Sequence, residues 1–265
     1  MASVPSDPIG GVLAQMDEIV TWCVANASRA GYFAALYRRV TRTVRQRIGT
    51  GYFADDARME VLDVTFASRY LQAFRQWRAG DPAISVCWKV AFDAAADPTL
   101  LILQDLLVGM NAHITYDLGI ATAEVAATAE GLASIQGDFD KINTLLACLV
   151  PTVFSELGAL SPLIRLLEDL GQPDEQRLVD IAMQAARDFA WLFANELVIV
   201  AGDPDLERLL LNLKDKEASW ISQRIVHPGG SLEKVNHVIW LAESKDVARN
   251  IAILAAPGTL PASCG

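Results

Sequence analysis

"TLLILQDLLVGMNAHITYDLGIATAEVAATAEGLAS", residues 99–134, decides how the rest of the chain is read. It holds no proline, and its centre is too apolar for a surface helix. It therefore reads as the long central helix of an all-helical bundle. Yet Asn111, His113, Thr115, Tyr116 and Asp117 place five polar side chains within seven residues of that centre. A buried polar group left without a partner costs about 1–3 kcal/mol. The run therefore lines a polar pocket or forms a buried network with other helices.

Residues four apart share a helix face, so His113 and Asp117 sit together, with Glu124 further along the same side. Asn111 and Thr115 make a second pair on a neighbouring face. Gly109 and Ala112 are small enough to admit a close partner helix. An imidazole held by a carboxylate is oriented and made more basic, which suits general acid/base chemistry. The same pair could supply half of a metal site, or could simply tie central helices together. The residues alone leave these three readings open.

Breakers divide the chain around this rod into nine or ten helices. The first covers about 10–28, and the second, "YFAALYRRVTRTVRQRIGTG", closes at Gly49 and Gly51. The third takes Asp55 or Asp56 as N-cap and stops at Gly80 and Pro82. A short helix covers 84–95. After the central rod, Asp138 is expected to cap a new helix that Pro151 kinks or splits. Ser161 is expected to cap another, ending at Gly171. Three more patterns follow, the last being "SLEKVNHVIWLAESKDVARNIAILA". Strand signals are nearly absent. With no linker-like stretch, residues 10–255 read as one all-α domain between flexible tails at 1–9 and 256–265.

The totals agree. Of 265 residues, 52% are apolar and 20% charged, a mix that favours helices packed on helices. A net charge of −10 argues against nucleic-acid binding and against docking on anionic lipid. The N-terminus has no signal-peptide pattern, and no long uninterrupted apolar run predicts a membrane span. Cys23, Cys87, Cys148 and Cys264 are scattered, which reads most simply as reduced thiols in a cytoplasmic protein. No phosphate loop, nucleophile elbow or dinucleotide fingerprint occurs, and three histidines are too few for a multi-histidine zinc site.

Two further clusters bear on chemistry. Asp56, Glu60 and Asp63 recur at helical spacing and could hold a divalent metal, although the first two also suit a helix N-terminus. Asp63 sits in an apolar stretch, with Phe66, Arg69 and Tyr70 near its face. Arg38, Arg42 and Arg45 form a stripe that reads as a solvated or acid-paired face, with anion binding as the alternative. Tyr37 lies on another side and faces inwards.

Several stretches resemble the helical bacterial family known as domain of unknown function 5995. They are "LYRRVTRTV" (36–44), "FADDARMEVLDVTFASRYL" (53–71), "LLVGMNAHITYDLGIA" (106–121), "GDFDKIN" (137–143) and "ARDFAWLFANEL" (186–197). The family's centre reads close to N-A-H-I-N-Y-D-L, and Thr115 stands here in place of the second Asn. The resemblance implies that Asn111, His113, Tyr116 and Asp117 belong to a shared site. It also raises Asp63, Arg69, Tyr70, Asp140 and Asn143 as candidates. It supplies no reaction.

The expected function is a cofactor-free enzyme acting on a small, largely apolar molecule by cyclisation, elimination or hydrolysis. His113 and Asp117 move the proton, and Asn111, Tyr116, Asp63, Arg69, Tyr70 and Tyr37 bind substrate. One alternative is a metal-dependent helical enzyme using Asp56, Glu60 and Asp63, or His113 and Asp117. Another is a binding protein whose polar centre is structural.

Overall fold

Several helices begin where a short polar side chain takes up the first free N–H groups. In the computed structural model, which describes residues 7–164 and 175–256, Asp7 accepts from Gly10 N, Asp55 from Arg58 N, Thr128 from Gly131 N and Asp246 from Arg249 N. The helices are α1 (Pro8–Ala25), α2 (Ala30–Arg47), α3 (Asp56–Ala79), α4 (Val86–Ala94), α5 (Ile102–Asn111), α6 (Gly119–Ala126), α7 (Ala129–Leu160), α8 (Glu175–Ile199), α9 (Pro204–Val226), α10 (Gly230–Ala242) and α11 (Val247–Leu254). The described residues contain no strand. The fold is an all-α bundle.

The central rod is α5 and α6, joined without a break by a π-helical segment, Ala112–Leu118. It packs against α2, α3, α4, α7, α8 and α9. Ile102, Leu106, Val108, Ala112, Leu118 and Ala121 are all buried. At its N-terminus, Glu243 Oε1 accepts from Ile102 N at 3.0 Å, a buried carboxylate placed where the helix dipole favours negative charge.

The expected rod to Ser134 stops earlier. Ala127 turns left-handed at φ 58° and Thr128 starts α7. The return is tight enough that a Cβ on Gly131 would lie 2.0 Å from Ala126 O, so only glycine fits there. Asp138 consequently does not begin a helix. It sits inside α7 and accepts from Ala54 N and Asp55 N, both at 2.8 Å, anchoring the loop that leads into α3.

Pro151 does not split α7. A proline removes the hydrogen bond to the carbonyl four residues back, here that of Ala147, and Ala147 and Pro151 are both exposed. Ser161 is the C-cap of α7 rather than an N-cap. The helix expected to end at Gly171 lies outside the described residues. The last expected helix divides at Glu243–Asp246 into α10 and α11.

No membrane span was expected, but α7 is long and apolar enough to cross a bilayer by length and composition, and 22% of its most apolar window is buried. Its half-buried Leu146, Val153 and Phe154 line an internal cavity instead of solid core. Cys23 and Cys87 are buried free thiols, whereas Cys148 is disulfide-bonded, so the reading of four reduced cysteines does not hold. The arginine stripe is acid-paired in part: Arg38 meets Asp17 and Arg45 meets Asp7.

Candidate functional site

The widened turn at Ala112–Leu118 carries His113, Tyr116 and Asp117. π-helical turns inside α-helices are rare and occur frequently at functional sites. His113 and Asp117 are both 2% exposed. Asp117 gathers three donors. Its Oδ2 lies 3.1 Å from His113 Nδ1 and accepts from Trp88 Nε1 at 2.7 Å, while Oδ1 accepts from Arg69 Nε at 3.1 Å. Arg69 Nη1 reaches on to Glu124 at 3.5 Å, so the two acids that share a face on the rod are bridged from α3.

With Asp117 as acceptor, the neutral imidazole carries its proton on Nδ1 and leaves the Nε2 lone pair free. Nε2 is buried without a hydrogen-bond partner. Burial pulls the His113 pKa below its ordinary 6.5, a fall partly offset by the hydrogen bond to Asp117. The ring stacks on Phe66 (centroids 3.6 Å apart, interplanar angle 6°) and meets Tyr37 edge-on at 4.2 Å. Phe33, Tyr70 and Trp88 complete an aromatic surround.

Phe33, Tyr37, Phe66 and His113 form one part of the wall of a cavity of about 140 Å³ between α2, α3, the rod, α7 and α8. Most of the wall is aliphatic, with Leu106, Met110, Leu149 and Val153 among it. Its polar members are Tyr37, Asp63, His113 and Arg187. Asp63 Oδ2, Tyr37 Oη and, beside the cavity, Tyr70 Oη are also buried without partners. Each such group costs about 1–3 kcal/mol, which a polar group of a bound molecule would relieve. Burial holds both phenols well above their ordinary range, so they remain neutral donors.

Asp63 is 8% exposed, and burial raises its carboxyl from 3.8 to about 7. The folded chain keeps a proton that the unfolded chain has already released. Asp63's contribution to stability is therefore full below about pH 4 and disappears as pH rises to about 7, at about 1.4 kcal/mol per pH unit. Asp63→Asn keeps the shape without the charge. In urea denaturation it is expected to match the native chain near pH 4, to gain a growing margin up to about pH 7, and to hold that margin above it. A margin independent of pH would show that Asp63 keeps an ordinary pKa.

The remaining candidates separate. Asn111 turns away from the cavity, donating to Ala218 O at 2.6 Å and Ser222 Oγ at 2.9 Å on α9 and accepting from Thr115 Oγ1 at 3.0 Å. Two residues along a helix is about 200° around it, so Asn111 and His113 oppose each other. Tyr116 packs under the Arg69 guanidinium, 5.8 Å from its ring centroid. Asp56 and Glu60 are half-buried in the first turns of α3, while Asp63 is buried. Among the described residues no three His, Cys, Asp or Glu side chains gather as a metal would need. Asp140 is exposed, and Asn143 accepts from Arg187 Nε.

Two residues escaped the sequence reading. Trp88 lies on a separate short helix, and nothing in its spacing ties it to Asp117. Arg187 did leave a signal. With Ala190, Ala194 and Leu197 it forms one stripe of α8, and all four are buried, at 3%, 1%, 0% and 7% exposure.

Fold and site together define a class: an all-α protein whose central rod widens into a π-turn beside an apolar cavity, with an oriented histidine in the cavity wall. Over residues 9–228 the chain matches a family of unknown function, DUF5995, and it belongs to that family. No curated protein and no solved structure matches it.

Proposed function

We propose that this protein is an enzyme that takes a small, largely apolar molecule into the cavity and moves a proton with His113. Nε2 is the base, Asp117 orients the ring, and Trp88 and Arg69 hold Asp117. The carrying observation is the unpartnered, lone-pair-bearing Nε2 of a cavity-wall histidine whose other nitrogen is fixed by a carboxylate. Asp63, with its raised pKa, is the proton donor available nearby, and Tyr37 is a neutral hydrogen-bond donor between the two. Cyclisation, elimination and hydrolysis are the reaction types served by such a base–acid pair without a cofactor.

Organic extracts of the purified full chain, read by mass spectrometry, are expected to contain an apolar small molecule. Returned to stripped protein, that molecule is expected to be converted. His113→Ala should slow conversion by about 100-fold or more while keeping the helical circular-dichroism signal. A folded His113→Ala chain with full turnover would overturn the proposal. Binding without turnover in the native chain would instead support a carrier, the reading favoured by the aliphatic character of most of the wall.

A further inference from the structure

Arg187 is a buried cation on the cavity wall with no acidic partner at contact distance among the described residues. The residue is 3% exposed. Its Nη2 donates to Phe139 O at 2.7 Å and its Nε to Asn143 Oδ1, both uncharged acceptors on α7. Its guanidinium lies over the Phe139 ring, 4.3 Å from the centroid. Nη1 makes no hydrogen bond, and the residue makes no ion pair, among the described residues. Asp140 and Asp188 act on it only through space, and both are exposed.

Burying a charge is costly unless it is paired. The other buried arginines show the usual arrangement: Arg29 pairs with Asp105, and Arg39 pairs with Glu156. Arg187 departs from it, and does so on the wall of a largely apolar cavity. A guanidinium with a free N–H edge matches the geometry of a carboxylate, and an aliphatic wall matches a hydrocarbon chain. His113 and Asp63, by contrast, are a neutral base and a carboxyl that is neutral or negative, and neither would attract an anion.

From this we infer that the cavity takes an apolar monocarboxylate, a fatty-acid-like molecule whose carboxylate pairs with Arg187 while its chain lies along the aliphatic wall. The inference rests on the cavity being the binding site of the proposed function and names the class of molecule that enters it. Arg187 is then the residue that selects acid over neutral analogue.

The test is a pair of probes of equal chain length, a C16 fatty acid and the corresponding alcohol, titrated into the full chain by isothermal calorimetry. The acid is expected to bind about tenfold or more tighter than the alcohol. Arg187→Met is expected to abolish that difference with alcohol binding retained, and Arg187→Lys is expected to keep part of it. Equal affinities in the native chain would overturn the carboxylate inference while leaving an apolar site intact. So would a preference for acid that survives in Arg187→Met. Binding of neither probe would overturn this inference, and turnover of an extracted molecule of another class would then leave the proposed function standing. The native acid-to-alcohol ratio decides the matter even where Arg187→Met fails to fold.

Discussion

Asp117→Ala is expected to destabilise the protein by about 3–5 kcal/mol, the range found when one member of a buried charged network is removed. Three donors lose their acceptor at once: Trp88 Nε1 on α4, Arg69 Nε on α3 and His113 Nδ1 on the rod itself. Trp88 and His113 are each 2% exposed, so water cannot readily replace the carboxylate. Arg69→Ala should cost only about 1 kcal/mol, because the Arg69 side chain is 26% exposed and its pairs are screened. Asp117→Asn should fall between, keeping an acceptor for Trp88 but turning an amide N–H toward one of the other donors. Urea denaturation of the three variants checks the order. A loss under about 1 kcal/mol for Asp117→Ala would mean that the carboxylate does not hold these helices together.

Gly109→Ala is the second large effect. A Cβ at Gly109 would stand 2.6 Å from Phe33 Cγ and 2.9 Å from Phe33 Cβ, so the ring cannot simply swing clear. Overpacking of this kind costs about 1–3 kcal/mol. Phe33 stacks on Tyr37 (centroids 5.7 Å apart) and meets His113 edge-on at 5.8 Å, so the displacement reaches the cavity wall. Gly158→Ala is the control. Nothing lies within 4 Å of its Cβ, and in a helix interior it should be neutral or stabilising by up to about 1 kcal/mol. Thermal or urea melts of the two single variants give the comparison. Equal stabilities would show that α2 and the rod are not in close contact at Gly109.

These two positions also mark what was legible in the sequence. Gly109 read as a point of close approach because it lacks a side chain amid larger apolar neighbours, and α2 does approach there. His113 and Asp117 read as a pair because a spacing of four is local information. Arg69, named for the same pocket, reaches Asp117 from α3. Partners contributed by distant helices were out of reach. Trp88 carries no periodic mark of its role, and the cavity exists only once α7 and α8 are set against α2 and α3. The end of the rod was missed for a different reason. Ala127 adopts a left-handed conformation that alanine rarely takes, and the glycine that permits the turn, Gly131, sits four residues later. Arg187 was missed although its phase with Ala190, Ala194 and Leu197 was visible.

The π-turn carries a consequence for how this chain can change in length. An α-helix advances about 100° per residue, and a π-turn closes over five residues where an α-turn closes over four. Deleting one residue between Ala112 and Leu118 would restore ordinary winding and leave the two flanking helices nearly in their present phase, because the wide turn absorbs one residue more than an α-turn. Gly109 against Phe33, and Gly119 against Phe193 and the Ala190 carbonyl, could then both stay seated, while the side chains inside the turn, His113 and Asp117 among them, would be re-aimed. Single exchanges such as the one at Thr115 leave that phase untouched. A residue gained or lost in this stretch is thus felt first by the site inside the turn, and least by the helices on either side of it.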